Sequence, residues 1–87
     1  MKDMKCPVCG NLTFNSKDYL YEICEECFWE YDIVQVENPD YEGGANKHSL
    51  NKYKKIYEEL KSQKTNFSCK NPSDRELIIK LDNDRNR

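Results

Sequence analysis

Apolar and polar positions alternate with two different periods along the chain. Leu50, Tyr53, Ile56, Tyr57 and Leu60 recur at i, i+3, i+6, i+7 and i+10, with Lys and Glu opposite. That spacing predicts a helix over about residues 50–63, with Ser49 as its N-cap. A second helix is expected from Pro72 to about Leu81, because Ser73-Asp74-Arg75-Glu76 has the form of a capping box ahead of Leu77-Ile78-Ile79. Leu12-Thr13-Phe14 and Tyr19-Leu20-Tyr21-Glu22-Ile23 are β-rich and partly alternate. Asn15-Ser16-Lys17-Asp18 lies between them with turn chemistry, so the two segments read as a hairpin. From Glu37 to Asn46, Pro39 and the Gly43-Gly44 pair exclude a regular helix or a central strand, and a loop is expected. The polar stretch 82–87 is expected to be a disordered tail.

Composition changes the picture by raising the question of stability. The chain has 87 residues, of which 37% are apolar and 34% charged. A domain of this size buries only roughly 60% of its unfolded surface, so apolar burial alone leaves it marginal. One domain over residues 1–81 is expected, stapled by something besides its core. The first residues, Met1-Lys2-Asp3-Met4-Lys5, contain no apolar run of the kind a signal peptide needs. The longest apolar run is Leu77-Ile78-Ile79, too short for a membrane span. A cytoplasmic location is therefore expected, where thiols stay reduced and five cysteines point to metal before disulfides.

The metal reading rests on spacing. Cys6-Pro7-Val8-Cys9-Gly10 and Cys24-Glu25-Glu26-Cys27 are separated by 14 residues, a length that lets a hairpin bring one pair beside the other. Two sulfurs at i and i+3 converge on one ion when the chain turns tightly, and Pro7 and Gly10 suit that turn. Cys6, Cys9, Cys24 and Cys27 are thus the expected ligands of one Zn²⁺ in a closed structural site. Iron of the rubredoxin type is the alternative cofactor, since Cys-Pro-x-Cys-Gly serves it too. It is disfavoured because Phe28-Trp29 follows the second pair where a glycine would be expected. A redox dithiol would need a βαβ setting that neither pair has. Cys69 reads as a half-buried, incidental thiol, and His48, alone in a Lys-rich turn, reads as solvated.

The fold class expected is therefore a small α+β zinc ribbon, a metal-stapled β-hairpin or short antiparallel sheet with one or two helices. The sequence then resembles the cysteine-rich CPCC family of small bacterial proteins. The likeness is carried by Cys6-Pro7-Val8-Cys9-Gly10 and by Tyr21-Glu22-Ile23-Cys24-Glu25-Glu26-Cys27-Phe28-Trp29-Glu30. It continues in Pro39-Asp40-Tyr41-Glu42-Gly43-Gly44-Ala45-Asn46 and Ser49-Leu50-Asn51, about residues 5–57 in all. The resemblance implies a zinc-binding module of no settled activity. Val8 stands where the family usually has a further Cys, Glu25 where Pro is common, Tyr31 where an acid is usual, and Lys52 where Glu would complete a capping box from Ser49.

Charge separates the remaining functions. Residues 18–46 hold nine acids (Asp18, Glu22, Glu25, Glu26, Glu30, Asp32, Glu37, Asp40, Glu42) and no Lys or Arg, within a net charge of −2. A nucleic-acid surface needs cations to displace counterions, so this half does not suit one, although its aromatics could stack on bases. Only the helix lysines Lys52, Lys54, Lys55 and Lys61 could serve there. With one His and no phosphate-cradling Gly loop, no catalytic set is recognisable and no enzyme activity is expected. The expected function is a protein-interaction module, a monomer or small oligomer, whose acidic face meets a basic partner through Glu25, Glu26, Trp29, Glu30 and Asp32. An immunity or antitoxin protein masking a basic nuclease toxin is one concrete form of it.

Overall fold

In a computed structural model, which describes residues 2–83, each Cys-x-x-Cys turn closes its own small antiparallel ladder. Strand β1 (Met4–Lys5) pairs with strand β2 (Leu12–Phe14), Met4 opposite Phe14 and Lys5 opposite Leu12, with an irregularity between the two pairs. The first cysteine pair occupies the connection. The second pair sits in an equivalent turn between Ile23 and Glu30, which form an isolated antiparallel bridge. The expected hairpin of 12–14 with 19–23 is therefore not formed. Glu22 donates its N–H to the Tyr19 carbonyl at 3.1 Å, closing a turn, and Tyr21 takes a left-handed φ of +62°. The backbone of this stretch pairs instead with residues 29–31, through Tyr21 N–H to Tyr31 O at 2.8 Å and Tyr31 N–H to Glu22 O at 2.9 Å.

A short helix, α1 (Ile33–Glu37), follows, and its β-branched composition hid it from propensity. Asp32 starts it, accepting from the N–H groups of Val34 and Gln35 at 2.8 and 3.4 Å. The other Asp32 carboxylate oxygen accepts from Ala45 N–H at 2.9 Å. Gln35 is completely buried, and the expected loop wraps around its amide. Its Nε2 donates toward the carbonyls of Tyr41, Asn46 and His48, and its Oε1 accepts from the Asn46 backbone and side chain. Asn46 then bonds both backbone groups of Glu30. A loop that lacks ladder bonds is fixed in this way by one buried amide.

Helix α2 (Leu50–Gln63) has the predicted bounds, and the Ser49 hydroxyl accepts from Lys52 N–H at 3.2 Å. Leu50, Tyr53 and Tyr57 face inward, with Ile56 and Leu60 half-buried beside them. Helix α3 (Pro72–Asn83) begins at the expected Pro72, although a cap at Ser73 would start it two residues later. Asn71 is the residue that caps it, accepting from Ser73 N–H at 3.0 Å, and Pro72 takes the first helical position where no N–H is needed. The helix also runs two residues into the expected tail, whose remaining positions 84–87 lie outside the described residues.

The reason for that extension is His48, which is buried rather than solvated. Its backbone N–H donates to Asp82 at 2.9 Å, and its ring Nε2 donates to the Leu81 carbonyl at 3.1 Å. Cys69 is likewise fully buried, and its N–H donates to the Glu26 carbonyl at 2.9 Å. The core joins Phe14, Trp29, Tyr53, Tyr57, Phe67 and Ile78 to the cysteine turns. Edge-to-face pairs of Trp29 with Tyr53 and of Tyr57 with Phe67 pack it at 5.1 and 5.9 Å. Among the described residues, no helix is long and apolar enough to cross a membrane.

Candidate metal centre

The two cysteine turns are built alike. In the first, Gly10 N–H donates to Cys6 O at 2.9 Å and Cys6 N–H to Asn11 O at 2.8 Å. In the second, Phe28 N–H donates to Cys24 O at 2.8 Å and Cys24 N–H to Trp29 O, also at 2.8 Å. Gly10 has φ +76° and Phe28 has φ +66°. Phe28 thus adopts the left-handed conformation that glycine supplies in the first turn, at a cost of about 1–2 kcal/mol. Its ring is partly buried, with the Arg75 guanidinium 5.9 Å from its centroid. The missing second glycine therefore leaves the turn geometry intact, and it is no argument against iron.

The four thiols converge. The Sγ atoms of Cys6, Cys9, Cys24 and Cys27 all lie within 4.8 Å of one another. Cys6 to Cys27 is 3.5 Å and Cys9 to Cys24 is 3.7 Å. A tetrahedron with metal–sulfur bonds of about 2.3 Å has an edge of about 3.8 Å, so the cluster has the dimensions of a four-sulfur site. Cys6, Cys24 and Cys27 are buried and Cys9 is half-buried. None of the cysteines is in a disulfide, and Cys69 does not belong to the cluster.

Donors aimed at sulfur complete the arrangement. Val8 N–H points to Cys6 Sγ at 3.4 Å and Cys27 N–H to Cys24 Sγ at 3.5 Å. The Thr13 hydroxyl lies 3.1 Å from Cys24 Sγ, which ties β2 to the second turn. Tyr53, on α2, donates its hydroxyl to the Cys27 carbonyl at 2.7 Å. Neither role is visible in the spacing of the cysteines: Thr13 reaches Cys24 only once β2 packs on the second turn, and Tyr53 arrives on a helix remote in sequence. Burial, reinforced by the neighbouring thiols, pushes the Cys27 thiol up, while hydrogen bonds from Cys27, Cys6 and Cys9 hold Cys24 far below the usual thiol range. Four thiols in contact cannot all ionise without strong mutual repulsion, and a cation that displaces their protons relieves it.

The five residues expected to meet a partner do not share one exposed face. Trp29 has none of its surface exposed, because it packs on Tyr53 inside the core. Asp32 is buried too, and its carboxylate is occupied by α1 and Ala45. Both expectations are corrected: Trp29 is enclosed by the aromatic core, and Asp32 by the start of α1 and the loop that follows it. Glu26 is half-buried and accepts from the Ser68 hydroxyl. Glu25 is exposed and lies 3.5 Å from Lys70 Nζ, while Glu30 is half-buried beside Ile23.

Two short ladders carrying four convergent thiols, backed by helices, define a zinc-ribbon-like α+β protein with a metal-binding cluster. The family model of the cysteine-rich CPCC proteins matches residues 4–76, so the chain belongs to the cysteine-rich CPCC family. No curated protein matches the sequence.

Proposed function

We propose that the chain is a zinc-binding, non-catalytic module that engages another protein. The observation that carries the zinc-binding, non-catalytic part is the closed set of four thiols, three of them buried, while the acids of residues 18–46 support the protein partner. Four protein sulfurs fill the tetrahedral coordination that Zn²⁺ prefers, which leaves no position for an activated water. Cys6, Cys9, Cys24 and Cys27 would hold the ion, and it would supply structural cross-linking of the two turns. Five free cysteines and a site that requires thiolate are consistent with a reducing, cytoplasmic setting.

Metal analysis of protein purified without added metal tests the reading. One equivalent of zinc per chain, absent from Cys6→Ser and Cys27→Ser, is the expected result. An iron stoichiometry with visible thiolate-to-iron absorption would instead favour an electron carrier of the rubredoxin type. A second reading, an immunity or antitoxin protein that masks a basic nuclease, draws on the nine acids of residues 18–46. Protection of cells against a toxin encoded next to this gene, lost on charge reversal of exposed acids, would support it. A mobility shift of DNA or RNA at low salt would favour the nucleic-acid alternative, which the acidic half opposes.

A further inference from the structure

The acids of residues 18–46 are not equivalent. Five of the nine have internal partners. Glu25 pairs with Lys70, Glu26 accepts from Ser68, Asp32 caps α1, Asp40 accepts from Asn51 at 2.9 Å, and Glu42 pairs with Lys52 at 3.4 Å. Among the described residues, the side chains of Asp18, Glu22, Glu30 and Glu37 have no ion pair. Three of these four bracket one apolar ridge. Leu20, Tyr21 and Ile23 are consecutive around Glu22 and stay 49%, 63% and 47% exposed. Glu30 is the bridge partner of Ile23, so its Cα lies directly across the ladder from it. Lys17, next to Asp18, is the one cation beside the ridge in sequence.

The ridge is also held rigidly in an unfavourable backbone state. Tyr21 sits at φ +62°, which a bulky residue adopts only where its surroundings impose it. Tyr21 N–H to Tyr31 O and Tyr31 N–H to Glu22 O fix it from both sides. Tyr19 and Tyr31 pack edge-to-face at 4.9 Å, whereas among the described residues the Tyr21 ring takes part in no aromatic pair and stays exposed. An exposed aromatic ring in a segment that carries unpaired carboxylates offers both a stacking face and charge to a guanidinium or ammonium group.

We infer that Leu20, Tyr21 and Ile23, framed by Asp18, Glu22 and Glu30, form a docking ridge for a basic segment of a partner protein in which Arg or Lys alternates with apolar side chains. The inference rests on the reading of the chain as a protein-binding module. It moves the contact from Glu25 and Glu26, which have internal partners, to residues 18–23 and to Glu30 across the bridge from Ile23. Charge selects the occupant: a segment rich in Arg or Lys neutralises three uncompensated carboxylates, whereas an acidic or purely apolar segment would leave them desolvated.

The test uses the metal-loaded chain and two synthetic peptides of equal charge, one alternating Arg with Leu and one alternating Arg with Ser. Calorimetry gives affinities and amide chemical shifts give the location. The Arg–Leu peptide is expected to shift residues 18–23 and 30, to bind about tenfold tighter than the Arg–Ser peptide, and to weaken as salt rises. Tyr21→Gly, which suits the left-handed backbone and so keeps the fold, is expected to weaken it about tenfold, and Glu37→Gln to leave it unchanged. Equal affinity for the two peptides, an unaffected Tyr21→Gly, shifts elsewhere, or no binding would overturn the ridge. Shifts of 18–23 that follow protein concentration without peptide would overturn it as well, by making a second copy the occupant. A protein partner bound elsewhere would remove the ridge and leave the module reading in place, whereas turnover of a substrate at the metal would remove the module reading itself.

Discussion

At the scale of single residues, Gly44 and Cys69 show how tightly the small interior is filled. A Cβ on Gly44 would lie 2.6 Å from Asp32 Oδ2 and 2.9 Å from Gln35 Cδ. Both side chains are buried and fully engaged in hydrogen bonds, so neither can yield without breaking the loop's anchor. Gly44→Ala should therefore cost about 1–3 kcal/mol, read as a lower melting temperature of the metal-loaded protein. Cys69 responds to pH. Burial pushes its thiol up from an ordinary value near 9 to about 12. Between those values the unfolded chain releases the proton and the native chain keeps it, so this thiol's contribution is intact below 9 and is lost as the pH rises toward 12. Cys69→Ala should be less stable than the parent at neutral pH, where it leaves a cavity, and the gap should narrow in unfolding curves taken at increasing alkaline pH.

At the scale of elements, the helices are set by their caps more than by their composition. Ser49 caps α2, but Lys52 stands at the third helical position, where Glu or Gln would bond back to the cap N–H. Lys52 otherwise makes an exposed pair with Glu42 at 3.4 Å, which is worth little. Lys52→Gln should thus gain about 0.5 kcal/mol, visible as a small rise in melting temperature with unchanged metal content. Helix α3 shows a different balance. Asn71 and Pro72 open it, Asp74 accepts from Lys64 Nζ at 2.9 Å, and His48 holds its last turn through the Leu81 carbonyl and Asp82. The hydrogen bond from Lys64 keeps the Asp74 carboxyl below the usual carboxylate range. The capping box expected at Ser73 lies two residues too late, because Asn71, held extended by the proline after it, is the residue that caps the helix.

At the scale of the whole molecule, the cysteine cluster and the helices are tied to each other by hydrogen bonds. Tyr53 OH to Cys27 O ties α2 to the second cysteine turn, and Cys69 N–H to Glu26 O ties the segment before α3 to the same turn. A structural four-sulfur site contributes an apparent ~10–16 kcal/mol in zinc-finger peptides, comparable with the entire ~5–15 kcal/mol stability of a typical domain. Chelation at neutral pH should therefore abolish helical circular dichroism as well as near-ultraviolet signals from Trp29, in one transition. Helices that persisted after complete metal removal would show that the aromatic core stands without the cluster.

Some of this was settled by local chemistry and some was not. The four converging cysteines, the bounds of α2 and its cap are legible because each depends on spacing within short segments: cysteines at i and i+3, an apolar stripe, a Ser ahead of it. The strand pairing was misread because Leu12–Phe14 and Tyr19–Ile23 are equally apolar, and only the packing of Tyr19, Tyr31 and Phe14 decides which neighbour each takes. Helix α1 was hidden by Ile and Val, whose propensity gives way once Asp32 caps them and Gln35 finds five bonds in the loop. Sequence alone fixed which atoms could bind metal, since coordination needs particular donors at short range. Only the folded chain decided which acids remain unpaired and which aromatics stay outside, since burial and ion pairing are set by segments that meet from far apart in the chain.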